Sequence, residues 1–154
     1  MARFTHPGFG NITGPSTTTE IQAYTPIWNT VSEDMTFSAD PSPIEGYYIK
    51  IGNWVIVQID APMSNVTNFG SDGYTLTLPF ASKYHTDVYG GSIHQTVNQG
   101  VDHYSIKGHL TDGETKLNIF VLGSNAQDEP MTHTTPVNLD SADRFHMSFS
   151  YIAE

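Results

Sequence analysis

The sequence contains no cysteine, few basic residues and few charges of either sign. The absence of cysteine excludes disulfides, thiolate metal sites and thiol nucleophiles. Only 6 Lys and Arg stand against 16 Asp and Glu, which gives a formal net charge of −10. This balance argues against nucleic acid and anionic membranes as partners, because both attractions depend on clustered basic side chains. With charged residues at 14%, against a typical value of about 25%, the surface must be largely uncharged and polar.

The chain also lacks apolar runs of the length that crosses a membrane, about 18–20 residues. The N-terminal residues Met1–Gly8 do not contain the apolar segment of a signal peptide. The sequence therefore predicts a soluble protein made in a cytoplasm. A length of 154 residues suits one domain with a core of its own.

Patterns of catalytic residues are missing as well. The sequence has no Gly-x-Ser-x-Gly elbow, phosphate-binding loop, dinucleotide fingerprint or His-Glu-x-x-His motif. Its seven histidines form no His-x-His pair, and His103 and His109 would lie about 20 Å apart along one strand. We therefore predict no enzyme activity, no metal and no cofactor. The minor alternatives are a metal held by histidines from different strands or from three copies on a symmetry axis, Ca²⁺ bound by loop carboxylates, and a jelly-roll enzyme acting on carbohydrate.

What the sequence does contain is a succession of strand patterns without a helical period. The clearest stretch, Gly46–Asp60, predicts two strands joined by a Gly52-Asn53 turn, since glycine supplies the positive φ that such a hairpin needs. Pro26 breaks the strand predicted over 21–30 or confines it to an edge, and Gly90-Gly91 indicates a bulge or a close backbone approach. Further strands are predicted over 35–38, 74–78, 88–97, 101–110, 115–122, 135–139 and 144–152, with loops over 61–73 and 125–133.

These patterns predict an all-β fold: an antiparallel, jelly-roll-like β-sandwich of eight to nine strands. We expect residues 21–154 to form this domain. Residues 1–20 are rich in Gly and Pro, which predicts a short extended N-terminal arm. The apolar side chains of Phe4, Phe9 and Ile12 favour an arm that docks on a neighbouring molecule over a frayed terminus.

Both faces of the central hairpin are largely apolar. Alternation places Val55 and Val57 on one face and Trp54 and Ile56 on the other. A sheet that exposes one side to water is usually polar on that side, so we expect one of these faces to meet another subunit. Which face does so stays open, as does cover by the arm or by a loop within the monomer. The predicted subunit-interface residues are Tyr48, Trp54, Val55, Ile56, Val57 and Ile59.

Four segments resemble bacteriophage virion proteins. Gly46–Gln58 is similar to the hairpin pattern G-x-Y-x-K-I-G-x-x-V of those proteins, and Tyr74–Phe80 resembles another of their strands. Thr25–Trp28 and Phe145–Tyr151 also fit, so the resemblance covers most of residues 24–152. Such segments recur in the trimeric C1q/TNF-like jelly-roll domains of tail fibres, head fibres and capsid decoration proteins. The resemblance implies a homotrimer with a structural or adhesive role and no catalysis.

Within that family, the short leader before the first strand favours a capsid decoration (cement) protein over a fibre. The resemblance then implies a trimer on the outer capsid surface of the virion, where it binds the major capsid protein and stabilises the shell. The arm would hold the trimer in place. The alternative is a fibre or tail tip domain that binds a host receptor or carbohydrate. Trp28, Trp54, Tyr84 and Tyr89 are candidates for stacking on sugars, although packing in a core or interface is the commoner role of such residues.

Overall fold

A computed structural model describes residues 20–30, 35–38, 44–97, 100–122 and 127–154 of the chain. These residues form β-strands and one 3₁₀ turn at Met63–Asn65. The strands are β1 (Gln22–Tyr24), β2 (Trp28–Thr30), β3 (Thr36–Phe37), β4 (Glu45–Ile51), β5 (Trp54–Pro62), β6 (Val66–Asn68), β7 (Tyr74–Thr77), β8 (Thr86–Val97), β9 (Gly100–Leu110), β10 (Lys116–Leu122), β11 (Asp128–Pro130) and β12 (Arg144–Ile152).

Most of the strands belong to one antiparallel sheet. Its order is β1-β4-β5-β12-β8-β9-β10-β7-β2, and β11 pairs with β10. β3 and β6 form a second, small sheet. Strands that follow each other in sequence pair at β4–β5, β8–β9 and β9–β10, whereas β12 is inserted between β5 and β8. The predicted all-β, antiparallel, jelly-roll-like architecture is confirmed.

The two edges of the large sheet are joined by one short piece of chain. β1 and β2 lie at opposite ends of the strand order, but only residues 25–27 separate them. The four Cα steps from Tyr24 to Trp28 span at most about 14 Å, so the sheet must curl until its edges are close. Trp28 packs edge-on against Phe145 of β12, with ring centroids 4.7 Å apart. The curled sheet thereby forms the two layers of a sandwich-like fold.

Pro26 explains the break between β1 and β2. Proline cannot donate to a strand ladder, and Pro26 is buried at the corner where the chain passes from one edge to the other. The following residue is held at its new edge, since Ile27 N donates to Thr77 Oγ1 at 2.8 Å and Ile27 O accepts from Thr77 N at 3.0 Å. The prediction of an edge strand broken at Pro26 is confirmed.

β4 and β5 form the predicted central hairpin. The strands pair as far as Ile51 and Trp54, and Gly52 and Asn53 make the turn. Gly52 has φ 60°, a left-handed conformation that costs other residues roughly 1–2 kcal/mol. Glycine at this position therefore favours the turn and fixes the register of the two strands.

The core lies between the two layers and is filled by alternate residues of each strand. On β12, Phe145 and Met147 are fully buried, whereas the intervening and following positions, His146 and Ser148, face outward. Each fully buried side chain of this size contributes roughly 1.5–3 kcal/mol. The same alternation on β10 and β7 buries Leu117, Ile119, Val121, Tyr74 and Leu76.

Three segments differ from the sequence-based expectation. Residues 61–73, predicted as a loop, hold the end of β5, the 3₁₀ turn and β6, and the predicted loop 125–133 contains β11. Residues 135–139, predicted as a strand, form a loop with one isolated bridge between Thr132 and Thr135. β6 and β11 are three-residue strands, too short to show alternation. The described chain consequently has more strands than the eight to nine predicted.

Candidate functional site

The outer side of the central hairpin carries a continuous set of apolar side chains. Alternation and register place Tyr47, Ile49, Ile51, Trp54, Ile56 and Gln58 there. We call Tyr47, Ile49, Ile51, Ile56 and Gln58 the hairpin face; Trp54, the partner of Ile51, lies at its turn end. Tyr47 pairs with Gln58 and Ile49 with Ile56, so their side chains are cross-strand neighbours. Tyr47 is 40% exposed and Ile51 41%. The hairpin face is thus a mostly apolar surface that the described chain covers only in part.

Three of the predicted interface residues lie elsewhere. Val55, Val57 and Ile59 are on the inner side of β5 and are each 0% exposed. They pack in the core of the single chain, so another subunit cannot reach them. The sequence left open which face of the hairpin forms the core, and these residues decide it. The surface available for assembly is the opposite face.

The other predicted interface residues divide between the two sides. Tyr48 faces inward and is half-buried, with edge-on contacts to Tyr24 at 5.9 Å and Phe80 at 5.2 Å between ring centroids. Ile56 belongs to the hairpin face and is half-buried, and Trp54 points outward at 45% exposure. The predicted arm residues Phe4, Phe9 and Ile12 lie outside the described residues.

A shallow groove runs along the hairpin face towards β1. Its volume is about 100 Å³, and it is lined by Ile21 together with Tyr47, Ile49, Ile56 and Gln58. Ile21, just before β1, is 68% exposed. The groove extends the apolar surface from the hairpin to the start of the described chain.

The far end of this surface is polar. Arg144 Nε donates to Asp60 Oδ1 at 2.7 Å, and Arg144 Nη2 donates to Asp60 Oδ2. This hydrogen-bonded guanidinium lowers the pKa of the Asp60 carboxyl. Tyr47 OH donates to Glu45 at 3.2 Å, which raises the pKa of the phenol. Charge therefore stands at one end of the outer surface and leaves its middle neutral.

Beyond Arg144, three histidines share the outer side of β12, β8 and β9. The rings of His94 and His103 meet edge-on with centroids 4.5 Å apart, and Ser92 Oγ lies 3.0 Å from His94 Nε2. Desolvation lowers the pKa of His94, and the neighbouring His103 and His146 lower it further. Protonation of His94 is therefore disfavoured in the folded chain.

Elsewhere on the sheet, His109 contacts a charged cluster on β8, β9 and β11. Lys107 Nζ pairs with Asp87 at 3.0 Å and also with Asp128, and His109 Nδ1 lies 2.7 Å from Asp87 Oδ1. The hydrogen bonds that His109 and Lys107 make with Asp87 lower the pKa of its carboxyl group. Because its carboxyl group is ionised, Asp87 can accept hydrogen bonds but has no proton to donate as a general acid. Among the described residues, no three His, Asp or Glu side chains are arranged to hold a metal ion.

A cleft opens where β12 and β8 separate. Their pairing runs from Arg144–His94 to Met147–Gly91, and beyond it both strands continue without pairing to each other. The separation occurs at Gly90, where the register of β8 shifts. The cleft has a volume of about 350 Å³ and is lined by Trp54 of β5, by the ends of β8 and β12, and by the chain that precedes β8. The predicted bulge at Gly90-Gly91 is confirmed, and the recess lies beyond it, where the two strands no longer pair.

Tyr84 is the second exposed aromatic residue of this cleft, and its backbone is fixed. Ser82 Oγ donates to Tyr84 O at 2.8 Å, and Ser82 itself is 0% exposed. The next residue, Lys83, donates its N–H to Ile152 O at 2.8 Å, which ties the segment to the end of β12. The ring of Tyr84 is nevertheless 55% exposed. Lys83 Nζ lies over this ring, 5.8 Å from its centroid, so the fixed backbone presents a half-exposed aromatic ring with a cation near one face.

Comparison with protein-family models, with curated proteins and with solved structures finds no match to the chain. The fold alone therefore defines the class of protein, an all-β, sandwich-like domain with an apolar outer surface and a cleft beside it. No helix in the described ranges is long and apolar enough to cross a membrane. Any statement of function must start from these two surfaces.

Proposed function

We propose that the chain is a non-catalytic structural protein that assembles into a homotrimer through the hairpin face. The observation that carries this proposal is the apolar outer side of β4 and β5, with Tyr47 and Ile51 about two-fifths exposed. Contiguous exposed apolar surface of this kind is typical of association sites. Burying it contributes about 25 cal/mol per Å², which favours assembly.

The distribution of charge supports the same surface. Chains with a net charge of −10 repel one another, so contact between copies is least unfavourable where no carboxylate lies. The five residues of the hairpin face carry no charge, and the charged side chains beside it stand at one end: Glu45, which accepts from Tyr47 OH, and the Asp60–Arg144 ion pair. A stable interface buries roughly 1,200–2,000 Å², which exceeds the hairpin face alone. Ile21 and Ser148, which also line the groove on the hairpin face, extend it.

The place of the trimer follows from the resemblance to phage virion proteins. We propose that it sits on the outer surface of a capsid as a decoration protein, where it binds the major capsid protein and stabilises the shell. A mostly uncharged, all-β trimer suits this role, because a sandwich whose strands are hydrogen-bonded to their neighbours is rigid. A structural role also requires no catalytic residues. The alternative, a fibre or tail tip domain that binds a receptor or carbohydrate, is favoured by the cleft between Trp54 and Tyr84.

Assembly is tested by the mass of the protein in solution. The wild-type chain is expected at about 51 kDa, three times the 17.0 kDa of one chain. Ile51→Glu places a charge on the hairpin face at an exposed position and should shift the mass to that of the monomer. Tyr89→Glu is the matched control, since Tyr89 is 68% exposed on a different part of the sheet. A monomeric wild type would refute the proposal, as would a trimeric Ile51→Glu variant.

The site of action is tested by imaging virions that contain the protein. Hundreds of copies in threefold clusters on the shell would support a decoration protein. A few tens of copies or fewer, located at fibres or at the tail, would support the alternative. Removal of residues 1–20 should release the protein from shells, and unchanged capsid binding would show that the arm does not anchor it.

A further inference from the structure

The cleft between β8 and β12 is formed by the backbone and does not depend on a loose loop. Gly90 has φ 111°, and a Cβ built on it would lie 2.3 Å from Ser148 O. Only glycine allows β8 to approach β12 this closely before the two strands diverge. The recess is therefore held open by sheet geometry, as a binding site requires if it is to be formed before the ligand arrives.

Two aromatic rings from separate elements line this recess. Trp54 begins β5 and pairs with Ile152 at the end of β12, whereas Tyr84 lies in the segment that precedes β8. Both remain about half exposed, at 45% and 55%. Large aromatic side chains are normally buried because they contribute most to a core. Two of them left open in one cleft are suited to a ligand that has flat apolar faces.

The remaining lining of the cleft is mixed, with Val88, Tyr151 and Ile152 beside several polar residues. Thr86, Ser150, His85 and Asp87 border it. Asp87 is ionised and held at the border of the cleft, since its Oδ2 accepts from Lys107 at 3.0 Å and its Oδ1 lies 2.7 Å from His109 Nδ1; any further hydrogen bond from a ligand would use the remaining acceptor capacity of these oxygens. Hydrogen-bonding groups of this kind match a ligand whose edges carry hydroxyl groups.

We propose that this cleft binds a neutral saccharide. A pyranose ring has an apolar C–H face that stacks on aromatic rings and a hydroxyl rim that donates to carboxylates and accepts from Ser and Thr. Trp54 and Tyr84 supply the first kind of contact, and Asp87, Thr86 and Ser150 supply the second. The carboxylate disfavours an anionic ligand, and the polar residues of the lining favour a sugar over a proline-rich peptide, which needs an aromatic groove with little else. The proposal does not depend on trimer formation.

Tryptophan fluorescence tests the proposal directly. The chain has two tryptophans, and Trp28 is 2% exposed whereas Trp54 is 45% exposed. The full chain is titrated to tens of millimolar with glucose, galactose, mannose, N-acetylglucosamine and their di- and trisaccharides. At least one sugar should produce a saturable change in emission that the Trp54→Phe variant lacks. Absence of binding by the whole panel, or binding only of a proline-rich peptide, overturns the proposal.

Three tyrosine variants distinguish binding in this cleft from nonspecific binding and from contacts at the hairpin face. Tyr84→Ala should weaken sugar binding by about tenfold, which corresponds to 1.4 kcal/mol, while the mass of the assembled protein stays unchanged. Tyr89→Ala is the matched control, because Tyr89 is an exposed tyrosine outside the cleft, and it should leave binding unchanged. Tyr84→Phe keeps the ring and should retain most of the affinity. Equal losses for Tyr84→Ala and Tyr89→Ala would overturn the assignment.

Discussion

The two faces of the central hairpin consist of similar apolar residues but differ in how far they are buried. On the inner face, Val55, Val57 and Ile59 are completely buried. On the outer face, Ile49 and Ile56 are half-buried and Ile51 is 41% exposed. The difference arises because the curled sheet covers only one side of the hairpin.

This comparison shows that apolar composition does not by itself identify a core. The inner face is covered because residues 25–27 bring the two edges of the sheet together and enclose whatever points inward. The outer face has the same chemistry without that cover. In our account its apolar residues serve contacts between molecules, and the core serves the stability of each one.

The largest expected difference between the two faces is in the loss of unfolding free energy when an isoleucine on each face is replaced by alanine. Ile59→Ala removes a side chain that is 0% exposed and should lower the free energy of unfolding by about 2–5 kcal/mol. Ile56→Ala, three residues earlier on the outer face, should cost clearly less in dilute solution. Urea denaturation measures both values.

Protein concentration sharpens this test. If Ile56 lies in an interface, the cost of Ile56→Ala should depend on concentration, because association stabilises the folded state by mass action. The loss of unfolding free energy caused by Ile59→Ala should not depend on concentration, because Ile59 lies in the core of each chain and association stabilises wild type and variant equally. If Ile56→Ala and Ile59→Ala lower the free energy of unfolding equally at every protein concentration, the two faces do not differ in the way we propose.

The turn that joins both faces is the next most sensitive position. Gly52 has φ 60°, and no atom lies within 4 Å of a Cβ built on it. Gly52→Ala should therefore cost roughly 1–2 kcal/mol through backbone strain alone, without a steric clash. Thermal unfolding measures this cost. An unchanged melting temperature would mean that the turn does not hold the register of the hairpin.

A smaller effect is expected at the polar end of the outer surface. Arg144 lowers the pKa of Asp60 below the ordinary 3.8, so the folded state binds that proton less readily than the unfolded state. The resulting stability is present above about pH 4 and is lost as the pH falls through the lowered folded-state pKa. Because the pair is partly solvent-exposed, Asp60→Asn should cost less than about 1 kcal/mol at neutral pH.

The pH dependence of this difference provides the check. Wild type and Asp60→Asn should converge in stability as the solution is acidified below the ordinary pKa of the carboxyl, 3.8. Denaturation curves recorded at successive pH values show whether they do. A difference that persists in strong acid would assign the effect to packing and not to charge.

The smallest expected effect concerns His94, whose folded-state pKa lies below the ordinary 6.5. The unfolded state takes up the proton first, so stability should decline as the pH falls below about 6.5. The groups that face His94 are His103, His146, Arg144 and Asp60. His94→Gln should flatten this decline, measured as the slope of unfolding free energy against pH. An unaltered slope would place the titration on another group.

Much of the fold is predictable from local sequence because alternation is a local property. β10 and β12 show the expected pattern of buried and exposed residues, and the turn at Gly52 and the break at Pro26 occur where their backbone chemistry requires them. The three-residue strand β11 escapes prediction because it consists of exposed residues, and it is held by backbone pairing with β10 and by the ion pair of Asp128 with Lys107.

The candidate sites are less predictable because they depend on contacts between distant segments. Alternation identifies the two faces of the hairpin but not which one is covered, since both are apolar. The curl of the sheet decides that, and it arises from pairing between strands far apart in sequence. The cleft is similar, because it depends on the pairing of β12 with β8 ending at Met147 and Gly91. The Gly90-Gly91 pair is its one local signal.

Oxidative footprinting of Tyr47 and Tyr89 in the wild-type protein tests the central claim most directly. In the single chain both rings are accessible, at 40% and 68% exposure. If the hairpin face is an interface, Tyr47 should be strongly protected from hydroxyl radicals while Tyr89 reacts freely, and Ile51→Glu should restore the reactivity of Tyr47. Reaction of both tyrosines in proportion to these exposures would contradict the account.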